Sequence, residues 1–319
     1  MKKFKLFIPI FLILLSSLYS CNNDNDNTVE PSTIVNLAID SADLTSLVSA
    51  LQKADLVNTL NGLGPFTILA PTNDAFAAFL NANNFNSLDD VPVNVLTNLL
   101  LNHVLSGSLT ASDFSTGYTN TLATSEASSS VMSLYVDTSS GVKFNGVSSV
   151  SSADIIAVNG VIHKVNAVIG LPSVVTFATA DPNFSTLVSA LTREDLTTDF
   201  IGILSTDFPI SPSPFTIFAP INDAFNRLFI ELGISGLSDI DEPILDATLK
   251  SHVVGGANLL DTDLSDNLSI ETLGSPLTAN ITGGASLTDS NNRVSDIIAT
   301  NVQANNGVIH VINKVILPQ

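Results

Sequence analysis

Residues 64–79 read GPFTILAPTNDAFAAF, and residues 213–228 read SPFTIFAPINDAFNRL. In the first stretch the apolar run Phe66 to Ala70 is closed by Pro71, which predicts a short buried strand. The Asn73-Asp74-Ala75-Phe76 that follows predicts a helix start, with Asn73 capping free N–H groups and Asp74 at the positive end of the dipole. Thr72 becomes Ile221 in the second stretch, whereas Asn222 and Asp223 persist. The asparagine, rather than the threonine, is therefore the expected cap.

The same correspondence extends outward. Pro65 and Pro214 lie 149 residues apart, as do His103 and His252. NGVIH occurs at residues 159–163 and again at 306–310. Upstream, LTSLVSAL from Leu44 matches FSTLVSAL from Phe184 at an offset of 140, so the second copy gains nine residues between these blocks. Gly202 to Ser213, rich in glycine and proline, is the expected site of that extra loop. A period near 148 residues is too long for a solenoid and marks a tandem domain duplication.

Each copy mixes helices and strands. Leu44, Leu47, Val48 and Leu51 fall at helical spacing, and Leu96 to Val104 predicts a further helix carrying His103. Ser125 to Ser151 alternates and reads as sheet and hairpins. Asn159-Gly160 and Asn306-Gly307 have the composition of two-residue hairpin turns. Helices early and strands late argue an α+β fold.

The chain opens with Lys2, Lys3 and Lys5, then the apolar run Leu6 to Leu15, then Ser16 to Ser20 and Cys21. The apolar run is too short to span a bilayer, and the order of regions is that of a secretory signal. With Leu18 and Ser20 before the one Cys of the chain, it resembles a bacterial lipoprotein signal over residues 1–20, with Cys21 as the lipidated residue. Residues 21–33 read as a flexible acidic tether. The domains follow at 34–172 and 173–319.

At 319 residues there is room for about two domains, each with its own core. Charged residues make up only 13% and apolar residues 45%, which excludes a disordered chain. The net charge of −19 argues against nucleic acid as a partner. One Cys excludes an intrachain disulfide and a cysteine zinc cluster. Trp is absent and Tyr numbers three, so stacking platforms would have to come mostly from phenylalanine.

The repeated blocks resemble the fasciclin-domain family. Phe66 to Phe76 and Phe215 to Phe225 match its first motif, and Gly160 to Pro172 and Gly307 to Pro318 match its second. Asn102 and Ser251 stand where the family's central Tyr-His pair has its tyrosine, leaving His103 and His252 as the match. The resemblance implies two tandem α+β domains, each a wedge of two sheets decorated with helices. It also implies a non-enzymatic adhesion role, with extracellular or envelope protein or polysaccharide as partner. Asp154-Ile155 matches a pair linked to receptor binding in some animal relatives, and is the candidate ligand-binding feature; the second copy has Asn301-Val302.

Motifs for nucleophilic, metalloprotease or nucleotide chemistry are absent from the sequence, so no catalytic residue and no cofactor is expected. The scarce histidines His103, His163, His252 and His310 are read as satisfying backbone groups rather than binding metal. The acidic groups Asp239/Asp241/Glu242 and Asp261/Asp263/Asp266 are read as solvated surface rather than calcium sites. The expectation is an exported, lipid-anchored protein of the outer membrane or cell surface, with avidity from two copies on one chain. The rival reading is a polysaccharide-binding accessory lipoprotein of a nutrient-uptake system.

Overall fold

A computed structural model describes residues 32–319. The signal and most of the tether read from the sequence, Cys21 included, lie outside those residues.

The first repeat runs α1 (Ile34–Ile39), α2 (Thr45–Lys53), α3 (Val57–Leu60), β1 (Phe66–Pro71), α4 (Asn73–Ala82), α5 (Val93–Leu101), β2 (Val104–Ser106), β3 (Gly117–Thr124), β4 (Val131–Asp137), β5 (Lys143–Phe144), β6 (Ser148–Ala157) and β7 (Gly160–Val165). The second runs α6 (Val174–Ala180), α7 (Ser185–Leu191), α8 (Phe200–Leu204), β8 (Phe215–Pro220), α9 (Asn222–Leu232), α10 (Glu242–Lys250), β9 (Val253–Gly255), β10 (Leu268–Ile270), β11 (Leu277–Asn280), β12 (Ser286–Thr288), β13 (Val294–Ala304) and β14 (Gly307–Ile312). Each repeat forms a seven-stranded sheet: β2-β1-β7-β6-β5-β4-β3 and β10-β11-β12-β13-β14-β8-β9. The fold is α+β, as the residue pattern requires. In each sheet the strand of the first motif pairs parallel with the strand of the last: Phe66 stands opposite Gly160, and Phe215 opposite Gly307.

That pairing explains the glycines. The two-residue connections between antiparallel partners are Val158-Asn159 and Asn305-Asn306, because Ala157 faces Gly160 and Ala304 faces Gly307. The hairpin turns thus lie one residue earlier than the Asn-Gly composition suggests. Gly160 and Gly307 are strand residues. A Cβ on either would overlap the carbonyl oxygen of the facing phenylalanine, Phe66 or Phe215. Close strand approach, not turn geometry, requires glycine there.

The asparagines before them tie the helices to the sheet. Asn159 Oδ1 accepts the Ile34 N–H at 2.9 Å, and its Nδ2 donates to the Leu60 and Gly62 carbonyls. Asn306 treats Val174, Leu204 and Thr206 the same way. One buried amide therefore satisfies the start of the first helix and the end of the third in each repeat.

The expected caps are exchanged. Thr72 is the N-cap of α4, its hydroxyl accepting the Ala75 N–H, and Ile221 at the same place in α9 caps with no side chain. Asn73 is the first residue of α4. Its Oδ1 accepts the Ser46 N–H at 2.9 Å and the Thr45 hydroxyl, and its Nδ2 donates to Ala42 O. Asn222 accepts the Thr186 N–H and donates to Pro182 O. The physical reason is that α2 and α7 begin after Leu44 and Phe184, which carry no capping group. Their orphan N–H groups are served from a neighbouring helix. Asp74 and Asp223 sit in the first turns of α4 and α9, where their charge favours the dipole.

Two smaller differences follow from local geometry. The helix expected over 96–104 is α5, which ends at Leu101; His103 lies beyond its C-cap and Val104 opens β2. The nine extra residues are split by α8: the equivalent carbonyls of Leu60 and Leu204 are 144 residues apart, so about half of the insertion precedes the loop expected to hold it, and Gly202 to Leu204 belong to α8.

Candidate functional site

A bulge in β6 between Ser152 and Ile155 places Asp154 in the left-handed region, at φ +60°. Its carboxylate accepts the Ala111 N–H at 2.8 Å, and its own N–H donates to His163 Nδ1 at 3.3 Å. His163 Nε2 then donates to Leu109 O at 2.8 Å. The Leu109 N–H donates to the Thr67 hydroxyl, which donates to Gly107 O. Three side chains, from β1, β6 and β7, thus strap the segment 107–111 to the sheet. Ile155 is half-buried and packs on the first core, while Asp154 keeps a solvent-facing flank.

The second repeat rebuilds the strap with Asn301 for Asp154, except that buried His310 Nδ1 has no hydrogen-bond partner where His163 Nδ1 accepts one. Asn301 stands at φ +59°, accepts the Asp261 N–H at 2.9 Å and donates to the Asp261 carboxylate at 2.7 Å. His310 donates to Leu259 O, and Leu259 donates to the Thr216 hydroxyl. Asn can replace Asp here because the required acceptor is a single side-chain oxygen. Val302, beside it, is buried.

His103 and His252 belong to different positions. Each is buried just past a helix end. Nδ1 donates to the Leu99 or Thr248 carbonyl at 2.8 Å, and Nε2 accepts the Ile169 or Ile316 N–H. Both nitrogens of each ring are therefore occupied by backbone. Burial pushes both rings down to about 4, so they are neutral at ordinary pH. The structure does not join His103 with His163, or His252 with His310, into one site. Among the described residues no three His, Cys, Asp or Glu side chains are placed to hold a metal. Asn102, in the family's tyrosine position, is buried and donates to the Ile169 and Gly170 carbonyls. Ser251 donates to Ala247 O and accepts the Ser275 N–H.

The acidic clusters are turned onto nearby backbone and side-chain donors. Asp239 accepts the Ser235 N–H and Asp263 the Leu260 N–H. Asp266 accepts the Ile281 and Thr282 N–H groups and the Thr282 hydroxyl, which hold its carboxyl below the usual range.

The sequence reading did not find the interface between the repeats. Tyr118 and Tyr135, paired across β3 and β4, are packed by the second repeat. Tyr135 is only 2% exposed and belongs to the core cluster built on α6, α7 and α9. The Tyr118 ring meets Phe177 edge-on at 5.6 Å, and its hydroxyl donates to Asp181 at 3.1 Å. Beside them Gln303 is 1% exposed. Its backbone N–H donates to the Ser133 hydroxyl and its amide to Ser125. Ser125 in turn donates to Asn305 O. A signal did exist. Strand register places Ser269 and Thr278 of the second repeat where the first has Tyr118 and Tyr135. Gln303 and Asn305 likewise stand where the first repeat has Ile156 and Val158.

The family model for the fasciclin domain matches residues 42–172 and 182–318. The chain belongs to the fasciclin-domain family. The protein sll1483 of Synechocystis is 41% identical over 139 residues, which is 43% of this chain and 72% of that protein. Human periostin is 27% identical across 81% of this chain, an alignment covering 29% of periostin. A solved FAS1 domain pair from the insect cell adhesion molecule fasciclin I aligns with TM-score 0.52 at 19% identity, covering 86% of this chain and 97% of that one. The shared architecture is therefore a fasciclin domain pair. Fasciclin domains are adhesion-related, non-enzymatic modules of secreted or surface proteins that bind extracellular partners.

Proposed function

We propose that this chain is an exported lipoprotein, anchored through Cys21 at the outer membrane or cell surface. There it binds matrix, surface proteins or other envelope components. One observation carries the binding rather than the catalytic reading. The scarce groups that could do proton or metal chemistry are buried, or fastened to backbone as straps and helix-end partners. Asp154 and Ile155 remain the candidate contact in the first domain, since the Asp154 flank is open to solvent and unencumbered by a second domain.

The polysaccharide reading is weakened by the fate of the tyrosines. Tyr118 and Tyr135 are spent on the domain interface and offer no platform for a sugar ring. The test is an array of envelope proteins, matrix proteins and polysaccharides, probed with protein from residue 22 onward, with and without calcium. A protein hit lost in Asp154→Ala supports this reading, and a hit confined to polysaccharides overturns it. Incorporation of labelled palmitate, abolished by Cys21→Ala, tests the anchor separately.

A further inference from the structure

The second domain receives the first through β13 and the helices beside it. Among the described residues no second domain packs on the equivalent face of the first domain, and its composition differs. Gln303 and Asn305 are replaced by Ile156, 63% exposed, and Val158, 59% exposed. Leu63, in the loop whose Gly62 carbonyl accepts from Asn159, is 99% exposed. Two segments of this face, Asn61-Gly62-Leu63-Gly64-Pro65 and Ile156-Ala157-Val158-Asn159, contain no charged residue. Lys164, the counterpart of Val311 at the interface of the second domain, is neutralised by Asp43 in an ion pair at 2.8 Å.

Two observations decide what covers it. The complementary face of another copy is unsuitable: Ser269 and Thr278 stand where the first domain offers Tyr118 and Tyr135. The place where the chain enters is also here, since the Val158 N–H donates to the carbonyl of Ser32. Only ten residues separate Ser32 from Cys21. They reach at most about 40 Å when fully extended, and about 20 Å as a coil.

We propose that this face rests on the lipid bilayer, with Leu63, Ile156 and Val158 entering the interfacial layer and the second domain held away from it. The proposal rests on lipidation at Cys21. The face adds apolar burial to the acyl anchor and fixes which side of the domain pair faces outward. A zwitterionic surface suits it, because the protein's own charge is negative.

The absence of Trp gives a direct test. Lipidated full-length protein carrying Leu63→Trp is reconstituted into phosphatidylcholine vesicles with brominated acyl chains. Ile230→Trp, at an exposed position in the second domain, is the companion. The expected result is loss of emission and a blue shift for Leu63→Trp and neither for Ile230→Trp. Adding Ile156→Ser and Val158→Ser should restore the emission. Protein that floats with the vesicles while Leu63→Trp stays unquenched overturns the docking face and spares the anchor. Protein that does not float overturns both. A blue shift that grows with protein concentration without lipid assigns the face to a second copy and also overturns the proposal.

Discussion

The Tyr118 hydroxyl donates to the Asp181 carboxylate at 3.1 Å, across the boundary between the two fasciclin domains. Asp181 is almost wholly buried, and it also accepts from the N–H and side-chain amide of Asn183. Burial and the neighbouring carboxylate push the Tyr118 phenol far up, and the same causes raise Tyr135 to about 12. The pair therefore stays protonated, with Tyr118 as donor, through the whole accessible pH range. Tyr118→Phe should cost about 1.5–3 kcal/mol, the value of a hydrogen bond to a carboxylate. Tyr135→Ala should cost about 3–5 kcal/mol, since it empties a large buried site. Urea unfolding is expected to show one transition for the parent and two separated transitions for Tyr135→Ala. A single transition shifted as a whole would mean that the domains are coupled by something other than this contact.

The crossed asparagine clasps set a second expectation. Asn73→Ala and Asn222→Ala each remove the acceptor for a helix they do not begin, at about 1–2 kcal/mol each. The two sites share no partner, so the double variant should lose the sum. Thr72→Ala removes only the ordinary cap of α4 and should cost about 1 kcal/mol or less, as Ile221 in the second domain already lives without one. Equal losses at Thr72 and Asn73 would return the main capping role to the threonine.

How much was readable in the sequence follows from the range of each interaction. The duplication, the strand before Pro71 and the amphipathic α2 are local patterns, and they were legible. The work of Asn159 was not, because its partners are Ile34, Leu60 and Gly62, far off along the chain. Reading Asn159-Gly160 as a turn accounted for composition but missed that Gly160 is fixed by the facing Phe66 carbonyl. The likeness of the repeats also hid their differences. Tyr118, Tyr135, Gln303 and Asn305 gain meaning only when each is compared with the residue at its counterpart position.

Gly160 offers a sharp test of that reading. Its φ of +150° and its closeness to Phe66 leave no room for a methyl group. Gly160→Ala should therefore destabilise by about 3 kcal/mol or more, by prising β1 from β7. Gly107→Ala, where a Cβ meets open space, carries only the strain of its positive φ and should cost about 1 kcal/mol. Thermal unfolding of the two variants side by side would separate crowding from backbone strain.

The buried histidines predict the pH dependence. His103 and His252 are pushed down to about 4 by burial, against 6.5 for a solvated ring. Between those values the unfolded chain binds protons that the folded chain refuses, so stability rises with pH across that window. Their contribution is fully present above pH 6.5 and is lost as pH falls from there toward 4, by about 3 kcal/mol for each ring. Asp261 and Asp266, held low by their hydrogen bonds, extend the loss to lower pH with the same sign. Replacing His103 by Gln removes one titrating ring while keeping a donor and an acceptor in its place. Burial lowers His310 as well, so the slope of unfolding free energy between pH 4 and 6.5 should then fall by about a third to a half. An unchanged slope would show that the His103 ring titrates alike in the folded and unfolded chain.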